Sequence, residues 1–146
     1  MDEHLHKRHN KTLLLYHLVF PVKYRRKVIS VSVSQTIKET CIEISDRFEI
    51  NFIEIGTDED HVHFLVQSVP TISVDKIVRI AKSVIARIVM STHPEIKKEL
   101  WGGSFWTSGY YANTVGQYGK AEVIKRYVEN QGKKYTQIYN GQQNLF

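Results

Sequence analysis

The sequence predicts an α+β fold, a ferredoxin-like β-α-β-β-α-β unit with an antiparallel sheet and one further helix at its C-terminal end. Three observations predict it. Apolar runs of strand length alternate with segments whose apolar residues recur every three or four positions. Pro21, Gly56 and Pro70 punctuate the runs. Two strand-like runs, 50–55 and 61–67, are separated only by the turn Thr57-Asp58-Glu59-Asp60.

The elements follow in order. Leu13 to Phe20 is a continuous apolar run rich in β-formers and reads as a central strand. Ser34 is the expected cap of a helix to about Phe48, with Ile37, Cys41 and Ile44 along one side. Ile50 to Ile55 reads as a strand closed by Gly56, and His61 to Gln67 as the next. Ser73 starts a long helix whose stripe is Ile77, Ile80, Ala81, Val84, Ile85 and Ile88. His93-Pro94 interrupts it, and a short helical piece to Leu100 follows. Phe105 to Thr107 and Tyr110 to Val115 are β-rich, and Lys120 to Lys133 reads as the last helix. Residues 1–146 are expected to form one domain, with about the last ten residues a mobile polar tail.

Composition excludes several classes. No apolar run approaches the roughly 20 residues of a membrane span, and the polar start MDEHLHKRHNK is no signal peptide. One cysteine, Cys41, can form neither an internal disulfide nor a multi-cysteine zinc site. A cytoplasmic protein is the expectation, located at the nucleoid when bound to DNA. The net charge is +5, which suits a phosphate-backbone partner. Arg8 and Lys11 lie before the first apolar run, and Lys23, Arg25 and Arg26 after it, with Tyr24 among them. Basic groups interleaved with aromatics suit single-stranded nucleic acid, whose bases stack and whose phosphates pair. These five cations are the candidate DNA contacts.

The stretch DEDHVHFLVQ, 58–67, carries the chemistry. In a strand, alternate residues share a face, so His61 and His63 stand about 7 Å apart on one side of the sheet. Val62, Phe64 and Val66 then face the core. If the helices cover that core, the imidazoles lie on the open face and can converge on one ion. Two histidines are an incomplete cage. On the last helix Ile124, Tyr127, Val128 and Gln131 fall on one face, with Tyr127 and Gln131 one turn, about 6 Å, apart. Laid across the open face, that helix would offer an amide oxygen and a phenol. Asp60 is placed to support the pair from behind. Without this context, a histidine pair is more often structural and Tyr127 more often core.

Four segments in order, YHLVFPVKYRRKVI, DEDHVHFLV, LWGGSFWTSGYYANTVG and VIKRYVENQ, resemble the single-tyrosine transposases of small bacterial and archaeal insertion sequences, the IS200-like family of HUH endonucleases. The resemblance covers nearly the whole chain. It implies an RRM-like HUH fold, with His61, His63 and Gln131 as metal ligands and Tyr127 as nucleophile. It further implies magnesium or manganese, recognition of a single-stranded DNA hairpin at each element end, and a 5′-phosphotyrosine intermediate. A homodimer with an exchanged active-site helix completes the expectation. Phe20-Pro21 departs from the family pattern, at a strand end rather than at the site. Competing functions are a domesticated relative acting on chromosomal repeat hairpins and a non-catalytic nucleic-acid-binding module. A triple-histidine nucleotidyl hydrolase would need a histidine where Leu65 stands.

Overall fold

The computed structural model describes residues 14–116 and 136–141. The elements are β1 (Leu14–Pro21), α1 (Val31–Arg47), β2 (Ile50–Asp58), β3 (His61–Ser68), α2 (Val74–Thr92), the single turn α3 (Ile96–Glu99), β4 (Tyr111–Gly116) and β5 (Thr136–Asn140). The sheet runs β4-β1-β3-β2-β5, and every neighbouring pair is antiparallel. Four of its strands with α1 and α2 reproduce the ferredoxin-like order. The helix read over Lys120–Lys133 lies outside the described residues, and with it Tyr127 and Gln131. The same holds for Arg8 and Lys11.

One face of the sheet carries the main core because the strands alternate. Tyr16, Leu18 and Phe20 of β1 meet Val62, Phe64 and Val66 of β3 and Phe52 and Ile55 of β2. Ile37, Cys41 and Ile44 of α1 close over them, with Ile77, Ala81, Ile85 and Val89 of α2. Phe64 sits at the middle, its ring 5.1 Å from Phe20 and 5.4 Å from Phe52. Phe64→Ala should therefore cost about 3–5 kcal/mol through the cavity it leaves. Urea unfolding checks this, and a loss below about 1 kcal/mol would show that the three rings are not the centre of the core.

Several local readings need correction, each for a physical reason. The cap of α1 is Ser30, whose hydroxyl accepts from the Val33 N–H. Ser34 lies one turn inside the helix, buried, with its hydroxyl 3.2 Å from that of Thr57 on β2. Gly56 does not end β2, which continues to Asp58 because its backbone pairs with His63 across the ladder. Phe105–Thr107 is no strand. It makes one isolated bridge, Val22 to Trp106, and both aromatics turn into the core. The stretch read as the start of a mobile tail instead adds β5 to the outer edge of β2. Its two apolar residues, Ile138 and Tyr139, are adjacent and only partly buried against the core, so they make no alternation that marks a strand, and the pairing with β2 defines it.

The connection after β1 is tied down on two sides. The Val22 N–H donates to the Asp60 carbonyl and the Lys23 N–H to the Phe105 carbonyl. Just after these anchors the chain makes a tight turn, with Tyr24 at φ +58° and Arg25 at φ +52°. Trp101 takes φ +51°, just ahead of Gly102 at +75°. Glycine is at home there, whereas each of the other three costs about 1 kcal/mol or more.

Candidate active site

The outer face of the sheet bears the histidines. His61 and His63 are half-buried and alternate with core-facing Val62 and Phe64. Both are positioned by their neighbours. His61 stands opposite Asp58 on β2 and Pro21 on β1, and His63 opposite Gly56 and Val19. The two rings lie 4.8 Å apart, centroid to centroid, at 63°.

Each ring is held through Nδ1. His61 Nδ1 is 2.6 Å from Asp60 Oδ1. A carboxylate can only accept, so Nδ1 carries the proton in this contact. Asp60 is held in turn by Arg25, whose Nε and Nη2 each lie 3.2 Å from Oδ2. Burial pushes the Asp60 carboxyl up, but hydrogen bonds from His61 and Arg25 and the nearby positive charge outweigh it and hold the carboxyl below its ordinary range. The anion is thus fixed beside His61.

His63 Nδ1 is held by a residue that the sequence did not single out. His17 of β1 places Nε2 3.2 Å from it, with the two rings stacked at 5.4 Å and 17°. His17 itself is buried and meets the edge of Tyr111 on β4. The two histidines are diagonal neighbours across the β1–β3 ladder, where His17 faces Leu65 and Val19 faces His63.

Glu54 is the second residue missed. A bulge sets Ile53 and Glu54 together against Leu65, and Ile53 packs with Leu15 and Leu65 on the histidine side of the sheet. The fully buried Glu54 carboxylate accepts from Gln137 of β5 at 2.8 Å. Among the described residues, no group of three or more His, Cys, Asp or Glu side chains is arranged to hold a metal ion. The described residues that could hold an ion here are the imidazoles of His61 and His63, whose rings lie 4.8 Å apart, and two imidazoles alone do not complete a metal site. This donor set is chemically fit for a divalent first-row ion.

Of the cations proposed to meet DNA, the described ones have partners within the protein. Arg25 is paired with Asp60. Arg26 pairs with Glu99 at 3.0 Å and lies over the Trp101 ring. Lys23 Nζ lies 5.5 Å from the centroid of the Tyr24 ring.

An antiparallel β-α-β-β-α-β sheet with an HUH pair on its outer face defines the class, an α+β scaffold of the HUH fold. The chain belongs to the family described as "Transposase IS200 like", whose profile matches residues 10–131. It is 32% identical over 121 residues to the ISDra2 transposase TnpA of Deinococcus radiodurans, covering 83% of this chain and 86% of that one. It is 24% identical over 123 residues to the transposase for insertion sequence element IS200 of Salmonella typhimurium, covering 84% and 80%. A crystal structure from Deinococcus radiodurans R1, assigned as a transposase, superposes with a TM-score of 0.66 at 30% identity, covering 82% and 91%. A REP-associated tyrosine transposase bound to a REP hairpin shares the fold, with a TM-score of 0.55 at 10% identity, covering 83% of this chain and 67% of that one. No helix among the described residues is long and apolar enough to cross a membrane.

Proposed function

We propose that this transposase cuts and rejoins single-stranded DNA at hairpin-marked ends through a covalent bond to Tyr127. The observation that carries the reading is the histidine pair on the outer sheet face, each ring engaged at Nδ1, in a chain of this family. His61 and His63 would hold magnesium or manganese through Nε2, with Gln131 as the third protein ligand. Bound there, the ion polarises the phosphate and offsets charge in the transition state. With the proton on His63 Nδ1, shared with His17 Nε2, the lone pair for the ion would come from His63 Nε2. Asp60 takes the corresponding place beside His61 Nδ1, and Arg25 fixes Asp60.

In the reaction, Tyr127 Oη gives up its proton and bonds to the phosphorus. The bond from phosphorus to the 3′ oxygen breaks, and that oxygen leaves as a 3′-hydroxyl. One phosphodiester replaces another, so rejoining by a 3′-hydroxyl needs no nucleotide cofactor. The chain has no phosphate-binding loop, since GQYGKA at 116–121 lacks the spacing and the Ser/Thr. The test is a covalent protein–DNA band formed from a labelled hairpin strand in the presence of the divalent ion. Binding without such a band would favour the non-catalytic module.

Arg25 gives a second measurable distinction. If it works through Asp60, Arg25→Gln should weaken manganese binding severalfold, less than the roughly 10–100-fold typical when a ligand's direct partner is lost. The salt slope of DNA binding should then stay nearly unchanged. A manganese titration beside DNA binding at several salt concentrations reads both. A flattened slope with unaltered metal affinity would instead make Arg25 a phosphate contact.

A further inference from the structure

Tyr24, Trp101, Tyr110 and Tyr111 are the exposed aromatic rings among the described residues, and the first two stand together. Tyr24 is 58% exposed and Trp101 is 70% exposed. They come from opposite ends of the described sequence, yet their rings meet edge to face at 5.1 Å. Both sit on backbone with positive φ, which the fold tolerates in two separate turns that converge on one spot. Neither ring fills a cavity or joins the core. Each has a cation over one ring face, Lys23 at 5.5 Å from the Tyr24 centroid and Arg26 at 5.1 Å from that of Trp101. Arg26 is further steadied by Glu99. The platform adjoins the histidine site through bonded steps, because Arg25, next to Tyr24, binds Asp60, which binds His61.

We infer that Tyr24 and Trp101 form a stacking platform for an unpaired nucleobase of the DNA strand that enters the histidine site. The inference rests on the reading that the substrate is single-stranded DNA. Only an unpaired base has a face to offer, since a duplex hides both faces of each base in its own stack. Aromatic planes flanked by cations match such a ligand, with the ring taking the base and the ammonium or guanidinium taking the adjoining phosphates. Two residues held in left-handed backbone keep the rings outward, and outward rings serve a ligand rather than the core. The platform reads no particular base, because every base has a π-face.

The two tryptophans make this measurable. Trp106 is 5% exposed and Trp101 is 70% exposed, so quenching on addition of DNA reports Trp101. The probe is a short oligothymidylate without a hairpin, added to the full-length protein in excess chelator so that no cleavage occurs. Its binding should quench the exposed indole. Trp101→Gly should abolish the quench and weaken binding roughly 5- to 150-fold. That variant also relieves the positive φ, and the ring it removes supports no core, so folding is preserved. Trp101→Phe should restore most of the affinity. An abasic strand of equal length should bind the wild type as weakly as thymidylate binds Trp101→Gly. Equal binding of thymidylate by Trp101→Gly and wild type overturns the platform, as does equal binding of the abasic strand or no binding of thymidylate by the wild type. The outcome is separable from the catalytic reading. A protein that stacks thymidylate but forms no covalent adduct keeps the platform and loses the proposed reaction. One that forms the adduct without quenching keeps the reaction and loses the platform.

Discussion

Tyr127→Phe should form no covalent protein–DNA adduct and cut no hairpin strand, while binding that strand almost as tightly as the wild type does. The substitution deletes one oxygen and keeps the ring. A phenol has a reference pKa near 10 and is a weak nucleophile, so it attacks only where the phosphate is positioned and its charge is offset. A lost nucleophile cannot be replaced by better binding, so the expected drop in cleavage is to background, several orders of magnitude. A denaturing gel with 5′- and 3′-labelled hairpin strands reads both the adduct and the released 3′-hydroxyl end. The neighbouring phenols are the internal check. Tyr110 and Tyr111 precede or begin β4, and Tyr139 lies on β5. An adduct that survives in Tyr127→Phe would move the nucleophile to another tyrosine.

What the sequence made legible follows from the range of the physical signal. The alternation in HVHFLV reads directly as a face assignment, because successive strand residues point to opposite sides. Val62, Phe64 and Val66 accordingly lie in the main core and the histidines on the other face. Asp60 was legible beside His61 because it is the adjacent residue. His17 was not, because it reaches His63 from 46 residues away and only through the β1–β3 register. In the sequence it sits inside an apolar run and looks like an interruption of a central strand. Glu54 was hidden similarly, since a bulge rather than simple alternation puts it on the histidine side. β5 escaped because its only apolar residues, Ile138 and Tyr139, are adjacent and so show no strand period to detect. Ser30 and Ser34 are both good caps by type, and the choice between them is made by Thr57, which binds Ser34 from another strand.

These misses have a common consequence for function. The histidine pair and Asp60 are local in sequence, but His17 comes from β1 and Arg25, which holds Asp60, from the turn after it. Arg25 and His17 lie on the two sides of Pro21; His17 contacts His63 directly, and Arg25 reaches His61 through Asp60. The β1 segment therefore sets the geometry of a site whose candidate ligands all lie elsewhere. Basic residues next to a DNA-processing site are easily taken for phosphate contacts, and the ion pairs of Arg25 and Arg26 show how such charges can serve the protein first.

Mixing two inactive subunits should restore cleavage. One chain carries Tyr127→Phe, and the other carries His61→Ala with His63→Ala. Alone, the second chain should lose metal-dependent cleavage by orders of magnitude, because it offers no imidazole to the ion. In the proposed homodimer, the helix with Tyr127 from one subunit meets the histidines of the other. A heterodimer then has one site with both defects and one with none, and the intact site should cut at about half the wild-type rate per dimer. If each tyrosine instead serves its own histidines, both sites of the heterodimer keep one defect and no mixture can cut. The two arrangements thus differ by presence against absence of product rather than by degree. Affinity tags of two kinds on the two chains isolate the heterodimer, and its adduct is then assayed with the labelled hairpin strand. The adduct must form on the histidine-deficient chain, since that chain alone retains Tyr127. Silence from a verified heterodimer would assign each tyrosine to its own subunit, at least for the cutting step.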